Sequence, residues 1–219
     1  MQTILFLHGW GGNDKSFAPI EPFLRANYNC IFLSMPCFQV GDDNVPQIPW
    51  TLEDYRDFVL AELDKHKVDE CYIIAHSFGA RIAVLLAESQ PSRFVKLILT
   101  GPAGIPRRFN LCLWLKILLH KLKIKRSKGS IEYQALTDAG KITFQNIIKR
   151  DLRPEIARIG IPTLIIWGSR DRAVRQHMVK SWTKLSQDAR LIIYKNSGHF
   201  CFLDAPARFI IDTQEFLNV

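Results

Sequence analysis

No apolar stretch in the sequence approaches the roughly 18 residues needed to span a bilayer. The chain also passes from Met1 into an apolar run without a basic segment or a cleavage site. A soluble, cytoplasmic protein is the expectation. The five cysteines (Cys30, Cys37, Cys71, Cys112 and Cys201) are odd in number, widely spaced and without a Cys-x-x-Cys pair, which points to neither a disulfide framework nor a zinc site. Cys30 and Cys71 stand at the starts of apolar runs and read as small core residues. Gly-x-Gly-x-x-Gly is lacking, and the glycine-rich turn His8-Gly9-Trp10-Gly11-Gly12 has no phosphate-loop lysine, so no nucleotide or metal cofactor is expected.

What is present is a 219-residue chain, 47% hydrophobic and 23% charged, enough for one globular domain with a full core plus an insertion. Six short runs rich in apolar and β-branched residues recur: Ile4 to Leu7, Ile31 to Leu33, Cys71 to Ala75, Val95 to Thr100, Thr163 to Trp167 and Leu191 to Tyr194. They read as parallel strands buried on both faces. Helical patterns separate them. Thr51-Leu52-Glu53-Asp54 forms a capping box ahead of Tyr55, Val59 and Leu63 at helical spacing, Ser77 to Ser89 reads as a helix, and Asp204 is placed to cap a last one. The alternation predicts an α/β fold with a doubly wound, mostly parallel sheet, whose site lies at the carboxyl ends of the strands. Residues 1–101 and 158–219 form its core, and residues 102–157 a helical lid.

That inserted segment carries twelve Lys/Arg against four Asp/Glu, so the whole net charge of +8 lies in it. Leu111 to Arg126 reads as an amphipathic basic helix. Its apolar face, with Trp114 and Leu118, is placed to roof an acyl pocket, and its basic face to meet an acidic partner or an anionic membrane surface. The segment has no recognised nucleic-acid motif, and no nucleic acid is expected.

Chemistry concentrates at three strand ends. Cys71 to Gly79 drives an apolar run into Ser77, held between Ala75 and Gly79, the pattern of a nucleophile elbow. The fifth strand runs into Gly168-Ser169-Arg170-Asp171 and the sixth into Lys195-Asn196-Ser197-Gly198-His199. A carboxylate and an imidazole thus follow the serine in the order Ser, Asp, His. The glycines around Trp10 let its backbone N–H point inward, toward an oxygen developing negative charge. His76 is read as structural and directed away from the nucleophile, because successive residues at a tight turn diverge. Asp204 and Glu88 are competing carboxylates, set aside as a helix cap and a helix-end residue.

On the motifs His8-Gly9-Trp10-Gly11-Gly12, Ala75-His76-Ser77-Phe78-Gly79, Trp167-Gly168-Ser169-Arg170-Asp171 and Ser197-Gly198-His199-Phe200, the chain resembles the α/β-hydrolase family over nearly its whole length. The resemblance implies a triad of Ser77, Asp171 and His199, with the N–H groups of Trp10 and Phe78 as oxyanion hole, and no cofactor. Two departures stand out. The family's usual first hairpin is missing, and Met35-Pro36-Cys37-Phe38 replaces a Gly-x-Gly turn.

The expectation is a serine hydrolase of carboxylesterase type, cleaving an ester or thioester of a small to medium acyl substrate through an acyl-enzyme. The basic lid resembles that of esterases acting on carrier-bound acyl esters, with Arg107, Arg108, Lys121, Lys125 and Arg126 as contacts to an acidic carrier protein. The alternatives are a carbon–carbon bond hydrolase and a non-enzymatic ligand- or carrier-binding protein on the same fold.

Overall fold

The computed structural model describes residues 1–40, 45–106 and 131–218. In chain order its elements are β1 (Thr3–Leu7), α1 (Glu21–Arg25), β2 (Asn29–Leu33), α2 (Leu52–Lys65), β3 (Cys71–His76), α3 (Phe78–Ser89) and β4 (Phe94–Thr100). After the undescribed part of the insertion come α4 (Ile131–Gln134), α5 (Asp138–Lys149), α6 (Arg153–Arg158), β5 (Thr163–Gly168), α7 (Gln176–Leu185), β6 (Ala189–Tyr194), α8 (Cys201–Asp204) and α9 (Pro206–Asn218). Among the described residues, no helix is long and apolar enough to cross a membrane.

The six strands form one sheet in the order β2-β1-β3-β4-β5-β6, and every neighbouring pair is parallel. The uninterrupted apolar character of the inner strands follows from burial on both faces. Along β1, Leu5 and Leu7 join a core shared with α2, α3, α6 and α7, while Ile4 and Phe6 join a second core under α1, α8 and α9. Residues of β3 and β5 divide in the same way. The expectation of two-sided burial fails for β6, an edge strand whose residues before Tyr194 are half-buried or exposed.

The order of connection fixes where a site can form. From β1 the chain crosses to β2 on one side, then returns to lay β3 on the other. The loops leaving β1 and β3 therefore diverge and open a crevice at their carboxyl ends, the switch point of a doubly wound sheet. His8 and Ser77 are the first residues beyond those two ends.

Local signals hold where they depend on neighbours in sequence. Thr51 caps α2 as expected, with the Asp54 N–H donating to Thr51 Oγ1 (3.2 Å) and the Thr51 N–H to Asp54 Oδ2 (2.7 Å). Asp204 is a correction. It ends α8, and its carboxylate accepts the Gly198 N–H at 2.6 Å rather than capping α9, which starts at Pro206.

The returning half of the insertion is tied to the core. Arg81 of α3, only 8% exposed, donates to the carbonyls of Ile147 (2.8 Å) and Arg150 (3.1 Å). It thus neutralises the negative carboxyl end of α5. Burial pushes its guanidinium down to about 10, so it remains charged at neutral pH. The Trp50 N–H donates to Thr143 Oγ1 (2.8 Å), and the loop after β2 bonds the chain ahead of α5 through Val40 N–H to Ala135 O (2.8 Å) and Thr137 N–H to Phe38 O (2.9 Å). Arg81→Leu leaves the buried Ile147 carbonyl without this donor, at a cost of about 1–3 kcal/mol. Urea denaturation should show a clearly lowered midpoint, and an unchanged midpoint would remove Arg81 as the anchor of α5.

Candidate active site

Ser77 sits between β3 and α3 with φ 49° and ψ −103°, in the left-handed half of backbone space that a non-glycine residue occupies only under constraint. The constraint is visible on both sides. The Ser77 N–H donates to Thr100 O at 3.0 Å, and its carbonyl accepts from Ala80 and Ala103, each at 3.2 Å. Gly79 then lets α3 pass over the end of β1, since a Cβ there would lie 2.3 Å from Leu7 O. As the first residue of α3, Phe78 has an N–H with no intrahelical acceptor.

The turn after β1 faces this elbow. It closes through Gly12 N–H to Gly9 O (3.0 Å), and His8 fixes it from below. His8 Nδ1 donates to Gly9 O (2.7 Å) while Nε2 accepts the Met35 N–H (2.8 Å), which sets a neutral ring that burial keeps below its ordinary pKa. The Trp10 ring lies edge-on to Phe78 at 5.3 Å.

Asp171 and His199 meet across the loops leaving β5 and β6. The Asp171 side chain has no exposed surface. Its Oδ2 accepts from His199 Nδ1 at 2.7 Å and its Oδ1 from the amides of Ala173 (2.7 Å) and Val174 (2.9 Å). Burial alone would raise its carboxyl, but these hydrogen bonds outweigh it and hold the group below the usual carboxylate range. With Nδ1 donating to Asp171, the Nε2 of a neutral His199 carries the lone pair. Gly101, at φ +51°, leaves space for this ring, because a Cβ there would stand 2.9 Å from His199 Nδ1.

Ser77, His199 and the Gly9–Gly12 turn line one cavity of about 710 Å³, with Gln39, Ala135 and Leu136 on one side and Phe200, Phe202 and Leu203 on another. No hydrogen bond joins Ser77 Oγ to His199 among the described residues; such serine–histidine bonds commonly tighten only in the substrate complex. Glu88 pairs with Arg158 (3.1 Å). Trp114, Leu118, Arg107, Arg108, Lys121, Lys125 and Arg126 lie outside the described residues.

His76 has a neighbour that the sequence did not indicate. It is buried, bonds Thr100 O through Nδ1 (3.1 Å) and places its ring 4.6 Å from that of His199, as part of the cavity wall. Diverging from Ser77 in sequence carries it toward the histidine that arrives from β6. Gln39 and Ser16 were also not singled out by sequence. They lie beside Gly11 and Gly12, and only the glycines themselves signalled that something approaches the backbone there.

The model of the Alpha/beta hydrolase family matches residues 4–213. An uncharacterized hydrolase of Bacillus subtilis, YugF, is 26% identical over 236 residues, covering 94% of this chain and 86% of the relative. A 2-hydroxy-6-oxononadienedioate/2-hydroxy-6-oxononatrienedioate hydrolase of Paraburkholderia xenovorans is 25% identical over 256 residues, covering 99% of this chain and 86% of the relative. Among solved structures, a membrane phospholipase A described as a bacterial virulence factor shares the fold at a TM-score of 0.81 and 23% identity, over 99% of this chain and 78% of that one.

The lowered Asp171 pKa sets a pH dependence. A carboxyl whose folded-state pKa is depressed contributes stability above its unfolded pKa, and that contribution is lost as pH falls through the folded value. The stability gap between the natural chain and Asp171→Asn should therefore persist down to about pH 4 and shrink below it. Thermal midpoints across pH measure this, and a gap that widens on acidification would contradict it.

Proposed function

Because the chain belongs to the alpha/beta hydrolase family, we propose that it is a serine hydrolase that cleaves an ester or thioester of a small to medium acyl substrate through an acyl-enzyme on Ser77. The observation that carries this reading is the Asp171–His199 pair, bonded at 2.7 Å, whose histidine lines the cavity that also receives the strained elbow of Ser77. A serine hydroxyl is a weak nucleophile by itself. His199 Nε2 takes its proton as Oγ attacks the acyl carbon, and Asp171 stabilises the imidazolium that results. The Trp10 and Phe78 amides serve as donors to the oxyanion, where loss of one donor costs about 10² to 10³ in rate. His199 then returns the proton to the leaving group, and water releases the acyl group.

Carbon–carbon bond hydrolysis is the second reading, favoured by the relative that hydrolyses 2-hydroxy-6-oxo acids. It places the same groups around a carbonyl and differs in what leaves. The basic insertion supports a further part of the proposal, that residues 102–157 act as a lid whose Arg107, Arg108, Lys121, Lys125 and Arg126 meet an acidic carrier protein.

Intact-mass analysis after exposure to a fluorophosphonate tests the core of this reading. One adduct is expected on the natural chain and none on Ser77→Ala, and turnover of any substrate found should fall by about 10³-fold or more in that variant. An unlabelled, folded natural chain would overturn it. Reversing three or more of the insertion's cations should slow turnover of a carrier-bound ester at low salt and leave a free ester unaffected. Equal effects on both would remove the carrier from the proposal.

A further inference from the structure

The cavity contains a second imidazole that the proposed triad leaves unused. His76 is 2% exposed, and its Nδ1 bonds the Thr100 carbonyl at 3.1 Å. A carbonyl oxygen only accepts, so Nδ1 carries the proton and Nε2 the lone pair. That lone pair has no partner among the described residues, yet Nε2 is not sealed in the core, because His76 lines the cavity. Gly9 keeps the approach open: a Cβ there would stand 2.8 Å from His76 Cδ2 and 3.4 Å from Nε2. With its lone pair opening on the cavity, Nε2 is free to accept a hydrogen bond from a donor within it.

We propose that His76 positions the water that hydrolyses the acyl-enzyme, by accepting one of its hydrogens while His199 accepts the other. The inference rests on the acyl-enzyme reading above and adds a residue to its second half. The ring centroids of His76 and His199 are 4.6 Å apart, with the rings tilted by 55°, a separation on the scale of the up to about 5.6 Å that one water spans with two hydrogen bonds of about 2.8 Å. With both hydrogens engaged, a lone pair of the water oxygen is directed at the acyl carbon. As the C–O bond to water forms, the proton shared with His199 passes to its Nε2. The C–Oγ bond then breaks, and that proton moves from His199 to Ser77 Oγ. The other hydrogen stays on the departing acid, and His76 neither gains nor loses a proton. Burial and the neighbouring His199 push the His76 pKa down to about 3, so it stays a neutral acceptor and does not compete for the proton His199 must take.

The mechanism separates two kinetic constants. In an acyl-enzyme pathway kcat/KM reports steps up to acylation, whereas kcat includes deacylation. Water enters only the latter. His76→Asn retains a group where Nδ1 meets Thr100 and removes the acceptor at the Nε2 position; His76→Gln places an amide at that position. With a p-nitrophenyl ester that the natural chain turns over, His76→Asn should lower kcat about tenfold or more and KM in proportion, leaving kcat/KM within about twofold. A burst of nitrophenol and an acyl adduct on Ser77 should accompany the change, and His76→Gln should recover much of kcat. His76→Phe, which preserves ring packing without an acceptor, should show the same split. Fluorophosphonate labelling of Ser77, which needs no water, should proceed at the natural rate in every variant. If kcat and kcat/KM fall together without an adduct, or kcat is unchanged in both His76→Asn and His76→Phe, His76 is structural and the proposal is overturned. Failure of the natural chain to label would overturn the acyl-enzyme reading and this inference with it.

Discussion

The close crossing of α3 over the end of β1 is the constraint on which the site depends. A side chain at position 79 would collide with the backbone of Leu7, 2.3 Å from its carbonyl oxygen. Glycine there lets the helix start immediately beyond β3, and so short a transition requires the positive φ of Ser77. The same crossing brings the first turn of α3, where the Phe78 N–H has no intrahelical acceptor, beside the turn that leaves β1. The strain at Ser77 is held by hydrogen bonds to Thr100, Ala80 and Ala103, contacts that belong to β4 and its loop as much as to the elbow. The position of Ser77 is therefore a property of three adjacent strands.

A similar close approach sets the other half of the site. Gly168 ends β5 against the loop that carries His199, where a Cβ would stand 2.1 Å from Gly198 O. The Arg170 N–H to Ser197 O bond (2.9 Å) and the Asn196 N–H to Ser169 Oγ bond (3.0 Å) lock the two loops together. Asp171 then reaches His199 through Oδ2 while two backbone amides hold its Oδ1. In the proposed mechanism, preorganisation of this kind removes the reorientation that water would otherwise undergo as charge develops on the imidazole.

Much of this was legible in the sequence because it depends on local pattern. Inner strands declare themselves by apolar runs that alternate between two cores, as Ile4 and Leu5 do, and the residues that follow them fall at the carboxyl edge without further information. The edge strands were harder to bound. β6 begins at Ala189 and β2 at Asn29, each ahead of the run that marked it, because an edge strand need not be apolar where it is exposed. Asp204 was misread because a carboxylate before Ala-Pro looks like a cap, whereas its partner, Gly198, is six residues back in a loop whose course the sequence does not specify. The neighbour of His76 was hidden for the same reason at longer range: it meets a ring 123 positions away.

Among the described residues three imidazoles stand at or beside the site, and their partners set them apart. His8 and His76 donate Nδ1–H to neutral carbonyls, those of Gly9 and Thr100, and burial lowers both pKa values. A carbonyl orients a neutral ring but adds little to offset the desolvation of a cation. His199 donates to a carboxylate held in its ionised form, the one partner of the three that strengthens its hold when the ring becomes positive. In the proposed mechanism it is therefore His199 that takes the proton of Ser77. The two neutral rings are left as fixed acceptors and donors, His8 tying the β1 turn to Met35 and His76 turning its lone pair toward the cavity.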